Sequence, residues 1–258
     1  MDIKTYLHIF MDKHASIVER LLFVMDGRDK YPWGHSIGLG KGVIDGMTRT
    51  GSIPGGDTLV AIRKCENARI DWILDGTGEP YITSKVLNDV DALELLEELM
   101  LETWSIYLLS DQRRKAIVLT RPGSFSVKDG KDGNGEQQFR WVQYTIVEVI
   151  VGAIGTKTMD FLRRKAKTRQ VYFVQLSEQQ MTSIERGLIG TYQLSKNEGI
   201  LSAPDAISDK HPVFTQTDGQ ESFDFTKEEI RVIDRLRSMS DDGREAVSRV
   251  IDVIQPQK

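Results

Sequence analysis

Between Lys30 and Ser52 the sequence sets ammonium, guanidinium, phenol and hydroxyl groups among glycines and apolar residues in a pattern suited to a polyanion. Lys30 and Tyr31 open this stretch and Arg49, Thr50 and Ser52 close it, and all five can donate to phosphate oxygens. Lys41, Gly42 and Asp45 lie between them, spaced to occupy the leading end and outer side of one helix, from which hydrogen bonds reach base edges in a major groove. Asp45 would accept from a cytosine amino group, or repel phosphate where the base sequence is wrong.

Groups of this kind are useful only if a rigid element presents them, and the residues in between meet the demands of a helix-turn-helix over residues 30–49. Trp33 and Ile37 supply the inner side of a first short helix, and Gly34 stands where a second helix must cross closely. Gly38 follows the first helix, where the chain reverses with φ > 0 and glycine alone pays no steric cost. Leu39 is the apolar residue of the turn, while Ile44 and Met47, three apart, form the inner side of the second helix. The outward positions are then Lys41, Gly42, Asp45, Thr48 and Arg49.

Gly38-Leu39-Gly40-Lys41-Gly42-Val43-Ile44-Asp45-Gly46-Met47 resembles the turn and recognition helix of lambda-like phage repressors. Gly51-Ser52-Ile53-Pro54, then Asp57-Thr58-Leu59-Val60-Ala61-Ile62 and Ile70-Asp71-Trp72-Ile73-Leu74-Asp75-Gly76-Thr77-Gly78-Glu79-Pro80, are similar to the closing helices of repressors from Mu-like temperate phages. The resemblance covers roughly residues 15–80. It implies an all-helical, operator-binding domain working as a dimer, since one recognition helix reads only a half-site.

Hydrophobic periodicity places the other elements. A helix is expected from about His14 to Met25, short helices follow to Leu74, and residues 1–82 form the helix-turn-helix domain. Leu93, Leu96, Leu99 and Met100 make one stripe of a connecting helix within 83–102. Stretches rich in β-branched and aromatic residues at 105–109, 116–119, 139–151 and 170–176, with a turn cluster at 128–135, predict a small antiparallel sheet. With helices near 158–166 and 178–188, residues 103–201 read as an oligomerisation or sensing domain. A polar linker at 202–225 and a helical segment at 226–258 complete the chain. The expected fold class is thus an all-α N-terminal helix-turn-helix domain followed by an α+β C-terminal domain.

Charge and composition narrow the function classes. The net charge is −4, but residues 110–169 carry 13 basic against 6 acidic side chains, so the deficit lies elsewhere in the chain. No run approaches a membrane span, no secretory signal is readable, and Cys65 is the only cysteine, which together predict a cytoplasmic protein with no membrane partner. The histidines, His8, His14, His35 and His211, show no metal-ligand spacing. Ser124 or Ser126 with Lys165 or Lys167 would be the residues of a self-cleaving Ser-Lys peptidase, but no Ala-Gly or Cys-Gly cleavage pair is present. Gly152 to Thr158 has the setting of a phosphate loop without its spacing, because Thr156 stands where glycine must precede the lysine. The basic run from Arg163 to Arg169 offers further phosphate contacts or a solvated helix face.

The sequence therefore predicts a non-enzymatic regulator without cofactor or metal. Its expected partners are a double-stranded DNA operator, a second copy or higher homo-oligomer, and a regulatory protein. An adaptor or antirepressor that keeps the helical scaffold for protein contacts is the alternative.

Overall fold

The structure, a computed structural model, describes residues 15–131, 133–168 and 171–214. Its first helix, α1 (Ile17–Met25), starts where it does because Ser16 and Glu19 close a capping box: the Glu19 N–H donates to Ser16 Oγ (3.3 Å) and the Ser16 N–H to Glu19 Oε2 (2.6 Å). Helices α2 (Lys30–Ser36), α3 (Lys41–Arg49), α4 (Gly56–Glu66) and α5 (Ile70–Asp75) follow. Gly55 caps α4, and Asp57 lies in its first turn, where its charge favours the helix dipole.

These helices surround Leu21, Phe23, Trp33, Ile44, Ile62 and Ile73, all buried. The Arg20 guanidinium is buried with them and fixes α1 to the end of α5, donating to Ile73 O (2.9 Å) and Leu74 O (2.8 Å), and to Ala15 O within its own segment. The Ile73 and Leu74 carbonyls close the end of α5 and have no intrahelical donor, so a buried cation satisfies them.

The rest of the chain builds one six-stranded sheet. Its strands are β1 (Ser84–Val86), β2 (Ser105–Ser110), β3 (Lys115–Lys131), β4 (Gln137–Gly152), β5 (Val171–Gln175) and β6 (Asp205–Ala206), in the order β1-β4-β3-β2-β5-β6. β1 runs parallel to β4 and β2 parallel to β5, while the other pairs are antiparallel. Helix α6 (Asp89–Leu99) connects β1 to β2, α7 (Thr156–Ala166) connects β4 to β5, and α8 (Glu178–Glu185) and α9 (Thr191–Ser195) follow β5.

Alternation along the strands divides the core. Ile106, Leu108, Ile117, Leu119 and Ile150 face α6 and α7, whereas Leu109, Ala116, Val118, Val149 and Val151 face α8 and α9. Among the described residues no helix is long and apolar enough to cross a membrane.

This arrangement overturns the expected fold class. The chain is an α/β fold on a mixed sheet, not an all-α domain followed by a small antiparallel α+β domain. Two contacts account for the difference. β1 leaves the helical segment directly and pairs with β4, and the far half of the β3–β4 hairpin completes the helical core: Val142 is buried in it, with Phe125, Val127 and Tyr144 packed alongside. Residues 202–214, expected as linker, hold β6 and a 3-10 turn at Pro212–Phe214; residues 215–258, and with them the expected C-terminal helical segment, lie outside the described residues.

The turn from Gly152 to Thr158 shows why its glycines do not form a phosphate site. The Asp89 carboxylate reaches across from α6 and accepts the N–H groups of Gly155 (2.8 Å), Lys157 (2.7 Å) and Thr158 (3.2 Å). An internal anion therefore already sits at the N-terminus of α7. Asp89→Ala leaves these N–H groups unpaired near the core and is expected to cost about 2–3 kcal/mol, measured by urea unfolding.

Candidate nucleic-acid interface

Helices α2 and α3 and the turn between them hold the predicted constellation. Trp33, Ile37, Leu39, Ile44 and Met47 are all buried, pointing inward toward α1 and α4. A Cβ on Gly34 would overlap Ile44 Cδ1, so the close approach of the two helices depends on glycine there. Gly38 has φ +88° and ends α2 in a Schellman motif: the Leu39 N–H donates to Gly34 O (2.8 Å) and the Gly38 N–H to His35 O (3.1 Å).

The outward groups are not independent. Lys30 Nζ (2.9 Å) and Tyr31 Oη (2.8 Å) both donate to Asp45 Oδ1, linking α2 to the middle of α3. Lys30 Nζ stands 4.7 Å from the Tyr31 ring centroid and Lys41 Nζ 5.2 Å from it, so one ring gathers two ammonium groups. The hydrogen bond to Asp45 holds the Lys30 ammonium above its ordinary range, and the bonds from Lys30 and Tyr31 hold the Asp45 carboxyl below its own. Lys30, Lys41 and Arg49 against Asp45 leave this patch with a net positive charge at neutral pH.

At the other end of α3, Thr50 Oγ1 donates to Gly46 O (2.7 Å) and lies 2.8 Å from Ser52 Oγ. The Thr50 proton is thereby used, so Ser52 is the donor between the two hydroxyls. Both are engaged in closing the helix, and reaching a phosphate requires one of these bonds to open. Lys41, Gly42 and Arg49 are exposed, while Asp45 keeps both of its bonds on Oδ1.

Two features were missed in the sequence. Val43 is 43% exposed on the outer side of α3, beside Gly42, an apolar group among the polar ones. An apolar residue within a short helix reads as core, so nothing in the sequence marked Val43 as an outward group. The second is the β3–β4 hairpin, which flanks the turn: a Cβ on Gly38 would meet Val127 and Val142, and Arg140 Nη2 donates to His35 O (2.8 Å). No local signal in residues 30–49 points to a segment so distant in the chain.

The remaining candidates lie on other elements. Ser124 and Ser126 are on the exposed face of the hairpin, whereas Lys165 is on α7 with its ammonium 5.2 Å from the Phe161 ring centroid, and Lys167 follows that helix. Arg163, Arg164 and Lys165 occupy the last turn of α7, where they favour its dipole; Arg169 lies outside the described residues. Comparison with protein-family models, characterised proteins and solved structures finds no match.

Proposed function

We propose that the chain is a sequence-specific DNA-binding regulator of transcription, acting as a repressor by occupying a two-fold operator as a dimer. The observation that carries this reading is the α2–α3 pair. Its inner residues are buried, its turn is fixed by Gly38, and its outer side presents Lys41, Gly42, Val43 and Arg49 to solvent beside the Lys30–Tyr31–Asp45 cluster. In this reading α3 lies in the major groove with Lys41 and Gly42 toward the bases. Asp45 orders Lys30 and Tyr31 for the phosphate backbone and keeps its second oxygen toward the groove.

Repression follows from occlusion of a promoter. Footprinting on DNA flanking the gene, at low and moderate salt, tests the reading, because specific protection must outlast the steep loss of nonspecific binding as salt rises.

A further inference from the structure

The turn between α2 and α3 has little of its own to hold it. α2 is only seven residues long, while α3 starts at Gly40 without a side-chain cap and carries Gly42 and Gly46, so helical propensity does not fix its leading end. Gly38, which ends α2, has no side chain to bury.

The hairpin supplies what the turn lacks. Beyond Arg121 on β3 and before Ile146 on β4 it is a two-stranded ribbon with no strand beside it on either edge among the described residues. Its register pairs Val127–Arg140 and Phe125–Val142 lie on the face that packs on the helices. Gly38 lies so close beneath them that a Cβ there would stand 2.8 Å from Val127 Cγ1, 3.2 Å from Val142 Cγ2 and 3.4 Å from Phe125 Cε2. Glycine at 38 therefore answers two demands, the positive φ and this close approach.

Arg140 Nη2 donates to His35 O (2.8 Å), the same carbonyl that accepts the Gly38 N–H (3.1 Å). One guanidinium is thus bonded into the ring that closes α2. On the far side of the pair, Lys64 Nζ of α4 stands 5.6 Å from the Phe125 ring centroid, so the ribbon is gripped by α4 as well as by the turn.

We propose that the hairpin positions α3, and that Arg140 is a positioning residue: it holds the α2–α3 turn, and through it the Lys41 end of α3, in one geometry without touching DNA. The consequence for DNA rests on the DNA-binding reading of α3; the bracing of the turn does not.

The surroundings of Arg140 separate this role from a phosphate contact and from general stabilisation. Its Nε lies 3.7 Å from Asp129 Oδ1, its side chain is 22% exposed and Nη2 is spent on His35 O, so little of its charge is offered to a polyanion. The bond to His35 O lies at an exposed position, where substitution changes overall stability little. A loosened turn must instead be ordered each time α3 binds, and that ordering subtracts from affinity.

Arg140→Ala in the full chain provides the test, read in three ways. Hydrogen exchange at the Gly38 and Leu39 amides is expected to quicken about fivefold or more, while the amides of α1 keep their wild-type rates. The melting temperature should move by no more than about 3 °C. Affinity for the footprinted operator should fall about three- to tenfold, with the slope of log affinity against log salt unchanged. Val127→Ala, which alters no charge, should quicken the same two amides.

Gly38 and Leu39 amides that exchange at the wild-type rate in either variant would overturn the proposal, as would operator affinity unchanged in an Arg140→Ala protein whose turn has loosened. A salt slope lower by about 1 would make Arg140 a phosphate contact and also overturn it. So would a large fall in melting temperature with the α1 amides quickening alongside the turn, the mark of a general structural bond. A chain whose turn amides quicken in Arg140→Ala but which protects no DNA would uphold the brace and refute the DNA-binding reading, so the two fail separately.

Discussion

Glu66→Ala is expected to lower the unfolding free energy by about 3 kcal/mol, the low end of the range for removing one partner of a buried ion pair. Glu66 ends α4 at 2% exposure and accepts three hydrogen bonds: from Arg28 Nη1 (2.9 Å) and Nη2 (2.9 Å), and from Trp33 Nε1 (2.8 Å). The same guanidinium donates to Met25 O (2.7 Å) and Val24 O (2.8 Å) at the end of α1 and lies 3.9 Å over the Tyr192 ring of α9. One carboxylate therefore joins α1, α2 and α4, and through Arg28 the far side of the sheet.

Burial pushes the Glu66 carboxyl upward, and Arg28 and Trp33 oppose that shift. The intact pair contributes little net stability for this reason. Losing one member is different, because the indole N–H and much of the guanidinium keep their desolvation cost without an acceptor. The low end applies because the Arg28 side chain remains 18% exposed and can recruit water. Urea unfolding measures the loss, and Glu66→Gln, which keeps an acceptor for Trp33, should fall between Glu66→Ala and the wild type. A cost below about 1 kcal/mol for Glu66→Ala would mean that this network is not what holds α2 in place.

Lys41→Ala is expected to weaken binding to the protected operator by about 1–3 kcal/mol, roughly 5- to 150-fold, while affinity for random DNA falls much less. Lys41 stands at the N-terminal end of α3, the part of a recognition helix that comes nearest the bases, and the Tyr31 ring orients its ammonium. Arg49→Ala, at the other end of α3, removes a charge that the proposed docking directs at the backbone. It should weaken both kinds of DNA similarly and reduce the slope of log affinity against log salt by about 1. Equal losses for the two variants on both DNAs would place Lys41 on phosphate and remove it from base reading.

Residues 30–49 were readable in the sequence because their constraints are local. A glycine that must reverse the chain, a glycine under a crossing helix and apolar residues three apart all lie within one short unit, and burial and backbone angles can be assigned to each. The sheet was harder to read for the opposite reason. β1 is only Ser84 to Val86, too short to show a period, and its parallel partner lies more than sixty residues away at Ile150 to Gly152.

The hairpin was underestimated because its polar half alternates serine and lysine with Phe125 and Val127, which resembles a loop until the helices covering those two side chains are known. Lys128 to Gly135 reads as a turn, yet β3 continues to Lys131 and β4 begins at Gln137. At the site itself, outward positions were legible but their mutual bonds were not. Asp45 to Lys30 and Tyr31 crosses two helices, and the capping use of Thr50 and Ser52 depends on where α3 ends.

Footprinting of the full chain on DNA flanking its own gene, repeated as salt is raised, tests the central claim most directly. The account predicts a two-fold symmetric protected sequence, with half-sites one or a small whole number of helical turns apart, that persists at moderate salt after random DNA has been released. Absence of any protected sequence at moderate salt, with only salt-sensitive uniform coverage or none, would contradict it and leave α2 and α3 as a scaffold for protein contacts.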